Sequence, residues 1–203
     1  QIDRFIDMFD QAIAEQKIDE VIKKLESMLN QQIEVLNELD KTDPNLKDIS
    51  SKERRIEEEY KDLQTSMKDA MNSSEKSSSS TSEMFENLIS SELNEETKEN
   101  IKEARESLSK EEKENSEKEA EKAQENLSEM LEKAKQIQEN FQEQTVNEMI
   151  NQFLGVVNSI LNISKYQDEL SLFSNGVRSN SPILPTIAKK QDRIRLQNQQ
   201  LMS

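Results

Sequence analysis

Apolar side chains recur at alternating intervals of three and four residues through long stretches of this chain, with little to interrupt them. The 203 residues include only two glycines and three prolines, and residues that favour helix, such as Glu, Lys, Gln and Leu, are abundant. This spacing places apolar side chains along one face of an α-helix, as in helices that pack against one another. We therefore predict an all-α protein, an elongated coiled-coil-like bundle of antiparallel helical hairpins.

The first third of the chain contains two apolar series separated by a short polar segment. They are Ile18, Ile22, Leu25, Leu29, Gln32, Leu36 and Leu39, and then Ile56, Tyr60, Leu63, Met67 and Ala70. Pro44 disfavours helix at the residue before it, and the segment is short enough for the two helices to fold back on each other. We predict a helical hairpin over residues 1–71. Its second helix is expected to open at a capping box formed by Ser50 and Glu53.

Residues 72–82 differ sharply in composition from their surroundings. Eight of these eleven residues carry a hydroxyl side chain, and such side chains compete with the hydrogen bonds of a helical backbone. We predict a Ser-rich flexible linker, and we expect proteases to cut the chain there first.

Acidic coiled-coil-like helices are predicted for residues 83–145. The most regular apolar series of the chain lies here: Ser116, Ala120, Ala123, Leu127, Met130, Ala134, Ile137 and Phe141. A second capping-box pattern, from Ser109 to Glu112, leaves two alternatives open. A new helix begins there after a turn, or the pattern lies inside one continuous helix.

The last predicted region, residues 146–203, combines an apolar helix with a basic C-terminal helix. The register changes near 143–145, which indicates a stutter, a kink or a short break. The new series is Val146, Ile150, Phe153, Val157 and Ile160. Because 146–173 is the most apolar segment, it is expected to form the core. Gly176 is expected to end this helix, and Pro185 suits the first turn of the last one.

Polar residues at positions of an apolar series fix helix register and partner choice, unless they simply face solvent at its edge. One hypothesis is that Gln167 and Gln191 meet across the last two helices and bond through their amides. The candidate interaction and register residues are Gln32, Phe153, Leu161, Ser164, Gln167, Leu170, Phe173 and Gln191.

The residues that are missing exclude several classes of site. The chain has no His and no Cys, which excludes a Ser-His-Asp triad, a Cys nucleophile and a structural zinc site. The two glycines, 21 residues apart, cannot form a Gly-rich phosphate loop. A net charge of −15 argues against nucleic acid, and no apolar run reaches the roughly 20 residues of a membrane span. We expect no catalysis, no cofactor, no metal and no membrane insertion by this segment.

The C-terminal half carries a resemblance to a known kind of protein. Residues 161–170 (LNISKYQDEL) and 188–194 (AKKQDRI) resemble a family of uncharacterised, membrane-anchored bacterial envelope proteins rich in coiled coils. In that family a segment L-x-x-S-x-x-Q-x-E-L precedes a helix beginning A-x-x-Q-x-x-[LI]. The similarity covers about 95–203. It implies an anchor outside this chain, which would then be a fragment, and a location in the bacterial cell envelope, but no chemistry.

The sequence therefore favours a non-catalytic helical scaffold or protein–protein interaction module. It would bind protein partners, or a second copy in a homo-oligomer, through helix-to-helix contact. The alternative is a ligand- or lipid-binding bundle that uses the apolar face of 146–173. A third possibility is a secreted acidic adaptor that stays partly disordered until it binds.

Overall fold

The computed structural model of the protein describes residues 2–178 and 180–202. Within these ranges the chain forms six helices and no strand, which confirms the predicted all-α class. The helices are α1 (Ile2–Leu39), α2 (Leu46–Ser74), α3 (Ser79–Ile89), α4 (Glu92–Ser109), α5 (Lys113–Ser174) and α6 (Leu184–Met202). The chain divides into two compact units, Ile2–Gln144 and Thr145–Ser203, with the boundary inside α5.

The unit Ile2–Gln144 is an antiparallel bundle of four members. Helix α1 forms a hairpin with α2, as predicted: Lys52 Nζ lies 2.8 Å from Glu38 Oε1. Helices α3 and α4, one after the other, together form the third member, and both pack against α2. The first part of α5 is the fourth member. This part of α5 runs back along α4, where the Ser116 hydroxyl donates to the carbonyl of Ala104 at 3.0 Å. It also runs along α1, where Lys135 Nζ lies 2.8 Å from Glu26 Oε1.

The core of this bundle follows the predicted series closely. All eight members of the α5 series from Ser116 to Phe141 are buried, and so are all five members of the α2 series. In α1, however, Leu29 and Leu36 are only partly buried, whereas Val21, Met28 and Val35 are fully or almost fully buried. Because α1 packs against both α2 and α5, it needs a wider apolar face than one series of the heptad provides.

Helix α2 begins four residues before the predicted capping box. Its N-cap is Asn45, whose side-chain oxygen accepts from the backbone N–H of Asp48 at 3.3 Å. The capping box from Ser50 to Glu53 is therefore a wrong prediction, since both residues lie inside the helix. Glu53 is instead completely buried in the bundle.

The Ser-rich segment 72–82 is not the linker that its composition predicts. Helix α2 continues to Ser74, three turn residues follow, and α3 begins at Ser79. Three of the hydroxyl side chains, those of Ser74, Ser78 and Thr81, are buried. The Ser74 hydroxyl donates to the carbonyl of Ala70, and Ser78 caps α3 by accepting from the Thr81 N–H at 3.1 Å. These hydroxyls thus form hydrogen bonds with backbone groups at the ends of the two helices, and they do not disrupt the helices.

Two further boundaries settle alternatives that the sequence leaves open. A turn separates α4 from α5, with Glu111 in the left-handed region at φ 62°. By contrast, α5 runs without interruption through 143–145, so the register change occurs within a continuous helix and no break occurs there. Gly176, at φ 78°, follows the end of α5 as predicted.

Candidate interaction surface

The segment 146–173 of α5 is the most apolar part of the chain, and most of its large side chains are exposed. The prediction that it forms the core is therefore wrong: Phe153 is 67% exposed and Leu172 is 78% exposed. Apart from Tyr166, whose side chain ends in a hydroxyl, the large exposed apolar side chains of this segment are Val146, Met149, Ile150, Phe153, Leu154, Ile160, Leu161, Leu172 and Phe173. We refer to these nine residues as the apolar face of α5.

The centre of this surface carries no charge. Residues 149–164 contain no Asp, Glu, Lys or Arg, and sixteen helical residues extend over about 24 Å. Asn, Gln and Ser alternate with the apolar side chains here, and a methyl group in place of the Gly155 hydrogen would have no heavy atom within 4 Å. The segment thus presents an open surface without charge, of a size that single scattered apolar residues do not produce.

Helix α6 contacts the end of α5. The ammonium of Lys190 lies 4.6 Å from the centre of the Phe173 ring, a cation–π contact. Ile163 of α5 and Ile194 of α6 are the buried apolar side chains of the unit Thr145–Ser203 among its described residues. The last helix therefore returns towards α5, as the sequence predicts, but it leaves most of the apolar side chains open.

The structure does not bring the predicted polar residues of this unit together. Ser164, Gln167 and Gln191 are all exposed, and no hydrogen bond joins the two glutamines in the part of the chain that the structure describes. The predicted amide pair is therefore wrong. Of the apolar candidates, Leu170 is partly buried, whereas Phe153, Leu161 and Phe173 belong to the apolar face.

Gln32 occupies a different environment, in the core between α1 and α2. Its Nε2 donates to Oε1 of Glu53 at 2.7 Å, and both side chains are completely buried. Burial raises the pKa of the Glu53 carboxyl to about 7, against a smaller opposing effect of the hydrogen bond from Gln32. The apolar spacing of α1 predicts Gln32 as a polar member of its series, whereas the Ser50–Glu53 pattern wrongly predicts Glu53 in a helix cap.

A second buried polar group links three members of the bundle. The Tyr60 hydroxyl of α2 lies 2.7 Å from Oδ1 and 2.8 Å from the carbonyl oxygen of Asn94 in α4, and 3.6 Å from the Met130 sulfur in α5. Burial raises the pKa of Tyr60 above its ordinary value, so the phenol stays protonated and donates. This contact positions α4 against α2.

The described residues offer no arrangement suited to metal binding or membrane crossing. No group of three or more carboxylates among them could hold a metal ion. None of the helices, over the same residues, has the length and apolar character that a membrane span requires. A groove of about 570 Å³ along α1 and α2 is lined by charged side chains at six of its nine positions.

Comparison of the chain with protein-family models, with curated proteins and with solved structures gives no significant match. The resemblance over about 95–203 therefore stays a prediction from the sequence.

Proposed function

We propose that this chain is a non-catalytic interaction module that binds another helix through the apolar face of α5. The observation that carries the proposal is the exposure of nine large apolar side chains on one segment, around a central stretch without charge. Apolar surface left in water is unfavourable by about 25 cal/mol per Å². Covering this face by a partner helix removes that cost.

The occupant we propose is the same face of a second copy. A partner for an uncharged apolar surface must itself be apolar and free of charge there, because an unpaired charge is costly to bury, and the segment 149–164 meets that requirement. Its series steps by four and three residues, the spacing of helices packed side by side. In an antiparallel pair with twofold symmetry, Phe153 of one copy lies opposite Val157 of the other, and Ile150 lies opposite Ile160.

Charge favours the antiparallel arrangement over the parallel one. Glu143 and Glu148 precede the uncharged segment, whereas residues 165–203, which include Asp168 and Glu169 beside six Lys and Arg, follow it with a net charge of +3. An antiparallel pair places the acidic end of each segment beside the basic end of the other. A parallel pair places like charges together, which is unfavourable.

Light scattering coupled to size exclusion tests the proposal directly. At tens of micromolar we expect the wild-type chain to have the mass of a dimer. Ile150→Asp or Phe153→Asp should weaken the dimer about 100-fold or more. Each buries an unpaired carboxylate in the contact between the two copies of α5, which we call the dimer seam. Asn151→Asp adds the same charge at the residue after Ile150, on a side of the helix away from the dimer seam. It should leave the measured mass that of a dimer. A wild-type monomer, or equal effects of all three variants, would contradict the proposal.

The alternative function is binding of a lipid or another apolar ligand by the same face. The basic residues of α6 beside an uncharged apolar helix favour it, because interfacial helices combine these two features on anionic membranes. The groove on α1 and α2 does not, since six of its nine lining residues are charged. Sedimentation with vesicles of anionic phospholipid distinguishes the two: vesicle binding that Phe153→Asp abolishes, together with a monomeric wild type, supports this alternative.

The proposal extends to a larger protein in which this chain is one module, anchored in a bacterial cell envelope. It is supported only by the resemblance of 161–170 and 188–194 to such proteins. Fractionation of the source cell with an antibody against this chain tests it, and recovery in the cytosolic fraction alone would contradict it.

A further inference from the structure

The Gln32–Glu53 pair has one hydrogen bond and two oxygen atoms left over. Gln32 Nε2 donates to Glu53 Oε1 at 2.7 Å. Gln32 Oε1 and Glu53 Oε2 are buried and have no hydrogen-bond partner among the residues that the structure describes. Both are acceptors when the carboxyl is ionised, so they repel each other and cannot bond. An unpaired buried polar atom is costly, and here two such atoms belong to side chains that are already joined.

One proton satisfies both atoms at once. A neutral carboxylic acid carries its proton on one oxygen and accepts on the other. With the proton on Oε2, Glu53 donates to Gln32 Oε1 while Oε1 continues to accept from Gln32 Nε2. The two planar groups then form a ring closed by two hydrogen bonds. We propose that Glu53 is protonated in the folded bundle and forms this acid–amide pair with Gln32, so that loss of the proton weakens the α1–α2 hairpin as the pH rises.

No charged group contributes to the raised pKa of Glu53, and several charged side chains on the four members of the bundle pair with one another. On α1 and α2, Glu38 pairs with Lys52 at 2.8 Å. Arg105 of α4 pairs with Glu57 of α2 at 3.1 Å. On α5, Glu119 pairs with Lys122 at 2.8 Å. The raised pKa of Glu53, about 7, is caused by burial, in agreement with the proton that the geometry requires.

The direction of the pH effect follows from proton uptake. A glutamate in an unfolded chain ionises near its ordinary pKa of about 4.5, whereas in the folded bundle it keeps its proton up to about pH 7. Between these values the folded state holds one more proton than the unfolded state, so the free energy of unfolding falls as the pH rises. The folding equilibrium constant should decrease about tenfold per pH unit in this window from this group alone.

Glu53→Gln is the matched variant, because an amide reproduces the protonated acid without titrating. Its N–H donates to Gln32 Oε1, and its carbonyl accepts from Gln32 Nε2. Relative to the wild type, we expect the folding equilibrium constant of Glu53→Gln to rise about tenfold per pH unit between the two pKa values and to stay level outside them. Urea unfolding of both proteins over this pH range measures the difference, and the other acidic residues cancel in the comparison.

A second measurement follows the carboxyl itself. In protein labelled with ¹³C at glutamate side chains, the Glu53 signal is the one that Glu53→Gln removes, and its midpoint should lie near pH 7. The proposal is overturned if the midpoint lies near the ordinary value, or if Glu53→Gln becomes less stable relative to the wild type as the pH rises.

Discussion

The two parts of α5 have the same apolar spacing and opposite exposure. From Ser116 to Phe141 every member of the series is buried, whereas from Val146 to Ile160 four of five members are about half exposed or more. Both series lie on one continuous helix. Apolar spacing therefore specifies which side of a helix faces a partner, but not whether that partner lies in the same chain.

The number of neighbouring helices explains the difference. In the unit Ile2–Gln144, α5 packs with three other members, and their apolar series cover one another in register. In the unit Thr145–Ser203 the chain supplies one further helix, α6. That helix has a single buried large apolar side chain among its described residues, Ile194. One short, basic helix cannot cover a segment that is apolar on several sides.

The largest expected effect comes from comparing a Leu→Ala substitution in the buried part of α5 with one in its exposed part. Leu127→Ala removes a completely buried side chain and should lower the free energy of unfolding by about 2–5 kcal/mol. Leu161→Ala removes one that is 61% exposed and should change it by less than about 0.5 kcal/mol. Urea unfolding at low protein concentration, where the monomer predominates, measures both.

That concentration matters because the apolar face is the proposed dimer contact. If Leu161→Ala costs as much as Leu127→Ala in dilute solution, the face is covered within the chain, and the contrast between the two parts of α5 disappears.

A feature of this fold could be predicted from the sequence where residues close together along the chain determine it, and not where contacts between helices do. The buried series of α2 and α5 were predicted residue by residue, because the geometry of a helix alone places them on one face. Glu53 was missed because Ser-x-x-Glu also occurs inside helices, and a completely buried glutamate is rare. The extension of α2 and α3 into the two ends of 72–82 was missed, because serines that cap helices and serines in linkers cannot be told apart by composition. Ser78 is distinguished only in the folded bundle, where its hydroxyl accepts from the Thr81 N–H and donates to Gln144 Oε1 in α5.

The two tyrosines of the chain allow a second matched comparison, with an expected change in stability of intermediate size. Tyr60→Phe leaves Asn94 in α4 without its buried donor and should lower the free energy of unfolding by about 1–3 kcal/mol. Tyr166→Phe, at a side chain 41% exposed, should have almost no effect, because water solvates an exposed hydroxyl in the folded and the unfolded states alike. Thermal unfolding of both variants gives the comparison. Equal stabilities would show that Tyr60 does not hold α4 against α2.

The smallest expected effects, of opposite sign, come from the two glycines of the chain, both in the unit Thr145–Ser203. Gly155 lies inside α5 with open space where a methyl group would be, so Gly155→Ala should stabilise the helix by about 0.5–1 kcal/mol. Gly176 has φ 78°, in the left-handed region, so Gly176→Ala should destabilise by about 1–2 kcal/mol. Circular dichroism during urea unfolding measures both changes. Gly155 lies off the proposed dimer seam, so its substitution should raise helix stability without changing the dimer mass. Weaker dimerisation by Gly155→Ala would instead place this backbone in close contact with the partner and move the seam to that side of α5.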